Sequence, residues 1–389
     1  MCSSRVLPFV ESGTVRASGS VWAWRLMCGL MGTLYLLACA GSGSSDGSRS
    51  EWEADNPLRP LPTAPLGTDI AWDRLKDPPT PARVRLGRWL FFDRRLSADG
   101  SMSCATCHQP EFAFSQRTPV ATGIRGQRGR RKVPPLINLV STRPPTAFRI
   151  GPQAVFFWDG RATSLERQAL EPIANPIEMG SSPVHMVDTL SGIAGYGPYF
   201  VEAFGDAHIT KERVAHAIAD YERTLMSGNS PVDRWQRAHE PDAVPAAVKR
   251  GYVLFTGKGQ CFHCHGEGGF RSGGFHNTGV GWDARTQTFA DEGRHAVTKG
   301  SALEAWPGTF KTPTLREVSK HPPYMHDGSI ATLREVIEFY NRGANPNPYL
   351  SAFIHPLGLT PTEIGELLAF LNALDGEGWQ DAGPSRFPR

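Results

Sequence analysis

Two pentapeptides carry the residues best suited to chemistry: Cys104-Ala105-Thr106-Cys107-His108 and Cys261-Phe262-His263-Cys264-His265. Each is a C-x-x-C-H, the attachment signature of c-type haem. The two thiols add across the vinyl groups of one porphyrin as thioethers, and the adjoining imidazole reaches the iron from beneath the ring. With 7 Cys and 12 His in 389 residues, two such matches are not expected by chance. A thioredoxin-like C-x-x-C, or half of a zinc site, would leave the His after both pairs unexplained. The sequence therefore predicts two covalently bound haem c groups. Cys104, Cys107, Cys261 and Cys264 are the attachment points, and His108 and His265 the proximal iron ligands.

Helices must hold these motifs. Thr80-Pro81 reads as an N-cap followed by Pro at the first helical position, where its missing N–H costs nothing. Leu86, Trp89, Leu90 and Phe92 then recur at helical spacing ahead of the first motif. Residues 211–226 read as an amphipathic helix with Val214, Ile218, Tyr221 and Leu225 on one face. A helix through Val248, Tyr252 and Phe255 leads into the second motif, so the order of helix then motif occurs twice. Thr332-Leu333-Arg334-Glu335 and Thr360-Pro361-Thr362-Glu363 are capping boxes. The first opens a helix closing near Gly343, and the second carries Ile364, Leu367, Leu368, Leu371 and Leu374 on its apolar face. No strand pattern is sustained. The expected fold is mostly α, two cytochrome-c-like haem domains with long loops, in keeping with 41 Gly and 32 Pro.

The length allows two domains with substantial cores. A net charge of +3 gives no reason to expect nucleic acid or a membrane-surface helix. Cys2, Cys28 and Cys39 all lie near the N-terminus, leaving no cysteine pair for a disulfide in the body. Arg25 and the apolar run from Leu26 to Ala38 read as a signal peptide, too short to span a bilayer. Leu36-Leu37-Ala38-Cys39 resembles the lipobox of bacterial lipoproteins, cut before a Cys that becomes lipid-modified; the alternative is a plain signal peptide with a coincidental Cys. Export to the periplasm is expected either way. A lipid anchor at Cys39, holding the protein to the outer membrane, would be the one membrane contact. The expected divisions are a signal peptide (1–38), a flexible tether (39–78), an N-terminal haem domain (79–235), a C-terminal haem domain (236–378) and a tail (379–389). The polar, Pro-bounded stretch from Asn229 to Pro245 reads as the junction between domains.

Five further landmarks run through both halves. They are Pro135-Leu136-Ile137-Asn138, Phe157-Trp158-Asp159-Gly160-Arg161, Asn175-Pro176-Ile177-Glu178-Met179-Gly180, Lys311-Thr312-Pro313-Thr314-Leu315-Arg316 and Pro323-Tyr324-Met325-His326-Asp327-Gly328-Ser329. On these, the chain from about Pro81 to Gly376 resembles the bacterial di-haem cytochrome c peroxidase superfamily, which includes MauG. The resemblance implies that the first haem meets peroxide, with Gln168, Pro172 and Glu178 in its distal pocket. Cleaving a peroxide heterolytically requires a proton to pass from one oxygen to the other, work suited to a carboxylate in a half-dry pocket. It also implies that Trp158 lies between the haems as an electron relay. A Ca²⁺ would be held by the Asn138 side chain, the backbone carbonyls of His321 and Pro323, and waters. The family usually has Thr where His321 stands, a change that a carbonyl ligand tolerates. Without the resemblance, Glu178 reads as a surface carboxylate, Trp158 as core and Asn138 as a turn residue.

Two departures bear on function. Peroxidases of the family carry a capping His eight residues before the Asn, where this chain has Arg130, so the first haem is expected to be open without prior reduction. They also place Met fourteen residues after the His of His326-Asp327-Gly328, as axial ligand of the second haem. Here that residue is Tyr340, as in MauG-like members; helical spacing puts it on one face with Leu333, Val336 and Ile337, where a plain core tyrosine is the alternative. A tyrosinate would favour the higher oxidation states of iron, whereas Met raises the potential. No Trp precedes the second motif, where Gly259 and Gln260 stand, so MauG's route to a bound protein is not reproduced residue by residue. The expected activity is that of a cytochrome-c peroxidase-type oxidoreductase. It would reduce hydrogen peroxide with electrons from a small redox protein, a cytochrome c or a cupredoxin. The alternative is a MauG-like enzyme that uses peroxide to oxidise a partner protein, the branch that Arg130 and Tyr340 favour. A non-enzymatic electron-transfer cytochrome would instead have two closed haems and ignore peroxide. A haem-bearing sensor would want a partner module that is not visible. A homodimer is left open.

Overall fold

The computed structural model describes residues 46–389 apart from Asp69, 141–154 and 267–268. The expected signal peptide, Cys39 and the start of the tether lie outside the described residues. Among those described, the helices are α1 (Asp46–Asp55), α2 (Pro81–Phe92), α3 (Cys104–Cys107), α4 (Leu165–Ala174), α5 (Pro183–Ser191) and α6 (Gly197–Phe204), then α7 (Lys211–Arg223), α8 (Pro231–Arg237), α9 (Ala246–Thr256), α10 (His295–Thr298), α11 (Leu333–Asn341) and α12 (Pro361–Asn372). The architecture is about 40% helical with few strands. The four strands are β1 (Phe275–Asn277), β2 (Trp282–Asp283), β3 (Thr288–Phe289) and β4 (Thr309–Lys311). They form two antiparallel pairs, β1 with β4 and β2 with β3.

The helix ends follow the capping chemistry. Thr80 Oγ1 accepts from Arg83 N at 3.2 Å, with Pro81 opening α2. Thr332 and Thr360 each close a reciprocal box with the Glu three residues on, Glu335 and Glu363. Two helix pairs then build two cores. Leu86, Trp89 and Leu90 of α2 meet Val214, Ile218 and Tyr221 of α7, all buried. A Cβ on Gly87 would lie 1.8 Å from Ala217 O, so this pair touches through a glycine. Val248 and Phe255 of α9 likewise meet Ile364, Leu367 and Phe370 of α12. There a Cβ on Gly251 would lie 2.1 Å from Glu366 O.

Three segments differ from expectation. Residues 46–78 are not a free tether: α1 is helical and buries Trp52 in the first core, where its indole donates to Tyr199 OH at 2.7 Å. One tryptophan outweighs the polar composition around it, because burying an indole removes a large apolar surface from water. The stretch 229–245 is no polar junction. It contains α8, whose Val232 joins the second core and whose Asp233 grips Arg316 through two 2.7 Å bonds. The chain passes from one core to the other between Leu225 and Val232. Residues 379–389, finally, strap back over the first core. Trp379 is buried there, Arg88 holds Asp381 at 2.6 and 2.7 Å, and Trp89 Nε1 donates to Arg386 O at 3.2 Å. No helix among the described residues is long and apolar enough to cross a membrane.

Candidate active site

The first motif is a single helical turn, α3, so Cys104 and Cys107 project three residues apart on one side. His108 N donates to Cys104 O at 2.8 Å and closes the turn. The chain then doubles back through Ala113 and Phe114, both at φ 55°. This brings Phe114 O to 2.8 Å from His108 Nδ1. A proton on Nδ1 satisfies that carbonyl and leaves Nε2 for iron. The second motif repeats the arrangement on a 3₁₀ turn, with His265 Nδ1 3.2 Å from Phe270 O. Burial pushes both imidazoles down to about 4, so each is neutral and ready to ligate a metal. The four thiols form no disulfide, and burial raises all of them, Cys107 and Cys264 to about 11. Free paired thiols beside a neutral, oriented imidazole fit a covalently held haem at each motif.

Each motif opens onto its own cavity. The first brings together Cys104, Cys107, His108, Gln168, Pro172 and Glu178. Gln168 and Pro172 come from α4, one turn apart on one face, and the Gln168 Oε1 atom is buried without a partner. Proline at 172 cannot donate to the Gln168 carbonyl and α4 ends two residues later, turning the chain towards Glu178. Glu178 O accepts from Ile124 N at 2.8 Å, which pins this loop to the one carrying Gly123. Burial raises the Glu178 carboxyl above the usual carboxylate range; the Arg161 charge pulls the other way and Glu171 adds to the rise. His108 is the one imidazole among the described residues lining this cavity. Arg130 is exposed, points to Ala290 O and does not line it.

The second cavity holds Cys261, Cys264, His265 and Tyr340, with Leu333, Val336 and Ile337 of the same helix face. Burial, and then the nearby thiols, raise the Tyr340 hydroxyl well above its ordinary value. His276, His321, His326 and His355 line this cavity too. All four have partners in the protein: His276 with Ser351 Oγ, His355 with Pro356 O, His321 against the Tyr324 ring, and His326 stacked on Phe310 with ring centres 3.6 Å apart. Trp158 lines both cavities and donates from Nε1 to Lys132 O at 2.8 Å. Its neighbour Phe157 is at φ 65°, a left-handed turn that directs the tryptophan into the seam. Asn138 lies outside both linings. Its amide is closed on Ser227, donating to O at 2.8 Å and accepting from N at 3.0 Å. His321 and Pro323 line the second cavity.

Sequence reasoning missed six charged residues at these walls: Lys132 and Lys311, which line both cavities, and Arg131, Arg161, Glu222 and Arg271, which line the first. Lys311 stood inside a quoted landmark. Nothing in the spacing of Glu222 on α7 distinguishes it from a solvated helix charge.

A di-haem cytochrome c peroxidase family model matches residues 81–241. Methylamine utilization protein MauG of Methylorubrum extorquens is 36% identical over 357 residues, 91% of this chain and 94% of the relative. Cytochrome c551 peroxidase of Nitrosomonas europaea is 30% identical, over 86% of this chain and 89% of the relative. Among solved structures, a MauG-like protein associated with microbial copper homeostasis superposes with a TM-score of 0.69 at 28% identity, covering 84% of this chain and 97% of that one. The diheme peroxidase BthA from Burkholderia thailandensis shares the fold at a TM-score of 0.66 and 24% identity, over 85% of this chain and 96% of that one. The chain belongs to the di-haem cytochrome c peroxidase and MauG family. Membership implies two c-type haems and peroxidase-type chemistry.

Proposed function

We propose that this is a periplasmic di-haem oxidoreductase that reduces hydrogen peroxide in the first cavity with electrons delivered by a protein partner through the second. The observation that carries this reading is the convergence of Glu178, Gln168 and Pro172 on the cavity of His108. Haem held there by Cys104, Cys107 and His108 would supply the redox chemistry that peroxide reduction needs. Glu178 moves a proton from one peroxide oxygen to the other. Gln168 orients peroxide by hydrogen bonding, and Pro172 keeps that wall dry. Two electrons and two further protons convert each peroxide to two waters, and Trp158, lining both cavities, is the path between them. On this reading the two cores are two haem domains, and Ca²⁺ would use the second lone pair of Asn138 Oδ1 with the carbonyls of His321 and Pro323.

The test is the absorption and EPR spectrum of the ferric protein before and after one equivalent of peroxide, without pre-reduction. One high-spin and one low-spin haem that react at once are expected. Glu178→Gln should keep both spectra and slow the reaction by about 10²–10⁴-fold, the usual contribution of a positioned acid–base group. Two low-spin haems indifferent to peroxide would leave the electron-transfer cytochrome as the answer. Tyr340 in the second cavity favours a second reading, in which the oxidising equivalents go to a partner protein's side chains. Tyr340→Met should then change only the second haem's spectrum and favour turnover with a small electron donor; unchanged spectra would remove Tyr340 as its ligand.

A further inference from the structure

Lys311 closes β4, paired with Phe275 of β1, and its N–H donates to Trp158 O at 2.8 Å. The side chain lines both cavities, and its ammonium lies 6.0 Å from the ring centre of Phe156, a residue of the first cavity's wall. Among the described residues no carboxylate pairs with it. The charge it feels is another cation, Arg271, which also lines the first cavity. Burial and that neighbour together push the amine down to about 8. A second amine, Lys132, lines both cavities and donates to the carbonyls of Gln116 and Thr118, again with no carboxylate. A buried ammonium with no carboxylate partner, as at Lys311, is costly unless an anion arrives from elsewhere. A haem in the cavity brings two carboxylates of its own.

We propose that Lys311 is the counter-ion of a propionate on the haem of the first cavity, supplied to that haem by the C-terminal half of the chain. Thioethers at Cys104 and Cys107 fix the vinyl edge beside α3, so the two carboxylates leave from the far edge of the ring. Lys311 enters the cavity from sequence beyond the second motif and brings the opposite charge. The contact ties the first haem to the half of the protein that carries the second. It places a positive charge near the first iron, where reduction adds negative charge, and so stabilises the reduced form. This inference rests on haem occupying the first cavity, but not on any reaction with peroxide.

Lys311→Met and Lys311→Arg holoproteins, each confirmed to carry two haems per chain by pyridine haemochrome, test it. Spectroelectrochemical titration of Lys311→Met should show a lower potential for the first haem and an unmoved second haem. Its reduction-induced infrared difference spectrum should show a shifted propionate carboxylate band. Lys311→Arg should restore both signals. Should Lys311→Met fail to mature, Lys311→Gln serves the same comparison. An unmoved first potential, a shift confined to the second haem, or a potential shift without a change in the carboxylate band would overturn the ion pair. A protein that shows these shifts yet ignores peroxide would overturn the function proposed above and leave this contact standing.

Discussion

At the scale of single residues, two carboxyls of the first cavity differ in how legible they are. Glu178 could be singled out because it stands in Asn175-Pro176-Ile177-Glu178-Met179-Gly180, a landmark of the family. Glu222 could not, since its character comes entirely from burial: it is 2% exposed and its Oε2 atom has no partner. Burial is the largest influence and pushes it up to about 8, against the pull of Arg223 and with the push of Glu166. The folded protein therefore keeps a proton on Glu222 at neutral pH that the unfolded chain has released above about 4.5. A raised carboxyl of this kind contributes stability that is complete below about pH 4.5 and is lost progressively up to about 8. Glu222→Gln cannot ionise. Its denaturation midpoint, compared with that of the parent protein, should therefore move in the variant's favour between about pH 5 and pH 8. A constant difference across that window would mean that Glu222 is already ionised in the fold.

At the scale of elements, the loop carrying Glu178 is held by a second loop as well as by α4, where Met179 N donates to Pro172 O at 3.2 Å and Ser181 N to Ile173 O at 3.0 Å. A Cβ on Gly123 would fall 2.0 Å from Ile177 O and 2.7 Å from Glu178 O, so these backbones meet where a side chain cannot fit. Ile124 N, donating to Glu178 O, adds the bond that sets the register. Gly123→Ala must therefore displace the Glu178 loop while leaving α3 and His108 in place. The expected outcome is unchanged haem content and a peroxide step slowed towards that of Glu178→Gln, read by stopped-flow. A variant as fast as the parent would show that the loop is not what positions the carboxyl. Sequence periodicity finds α2, α7, α9, α11 and α12 because their faces are regular. It has no purchase on two irregular loops pressed together, since neither loop has a pattern of its own.

At the scale of the molecule, a buried polar contact ties α8 of the second core to the segment after β4 and to the N-terminal stretch around Gly67. Arg316 is 1% exposed and bonds Asp233 of α8 twice and Gly67 O once, at 2.7, 2.7 and 3.0 Å. Burial alone would raise the Asp233 carboxyl, yet the Arg316 hydrogen bonds and charge hold it below the usual range. Asp233→Ala strands a buried guanidinium and should lower stability by about 3–5 kcal/mol, measured by chemical denaturation. A loss under about 1 kcal/mol would show that water reaches Arg316 once its partner is gone. The strap at 379–389 and α1 act at the same scale. Both return to the first core, α1 through Trp52 and the strap through Trp379 and Phe387.

The two C-x-x-C-H motifs, the caps and the family landmarks are local, so the sequence by itself determined the cofactor chemistry, the main helices and the first cavity's candidate acid–base group. Covalent attachment depends on a window of five residues, and capping on a window of four; neither needs a fold to be read. What only the tertiary structure decided are properties of an enclosed space: that Trp158 and Lys311 line both cavities, that Glu222 is buried without a partner, and that a presumed tether and tail pack on the first core. Those depend on which distant surfaces meet and exclude water, and no spacing along the chain encodes that.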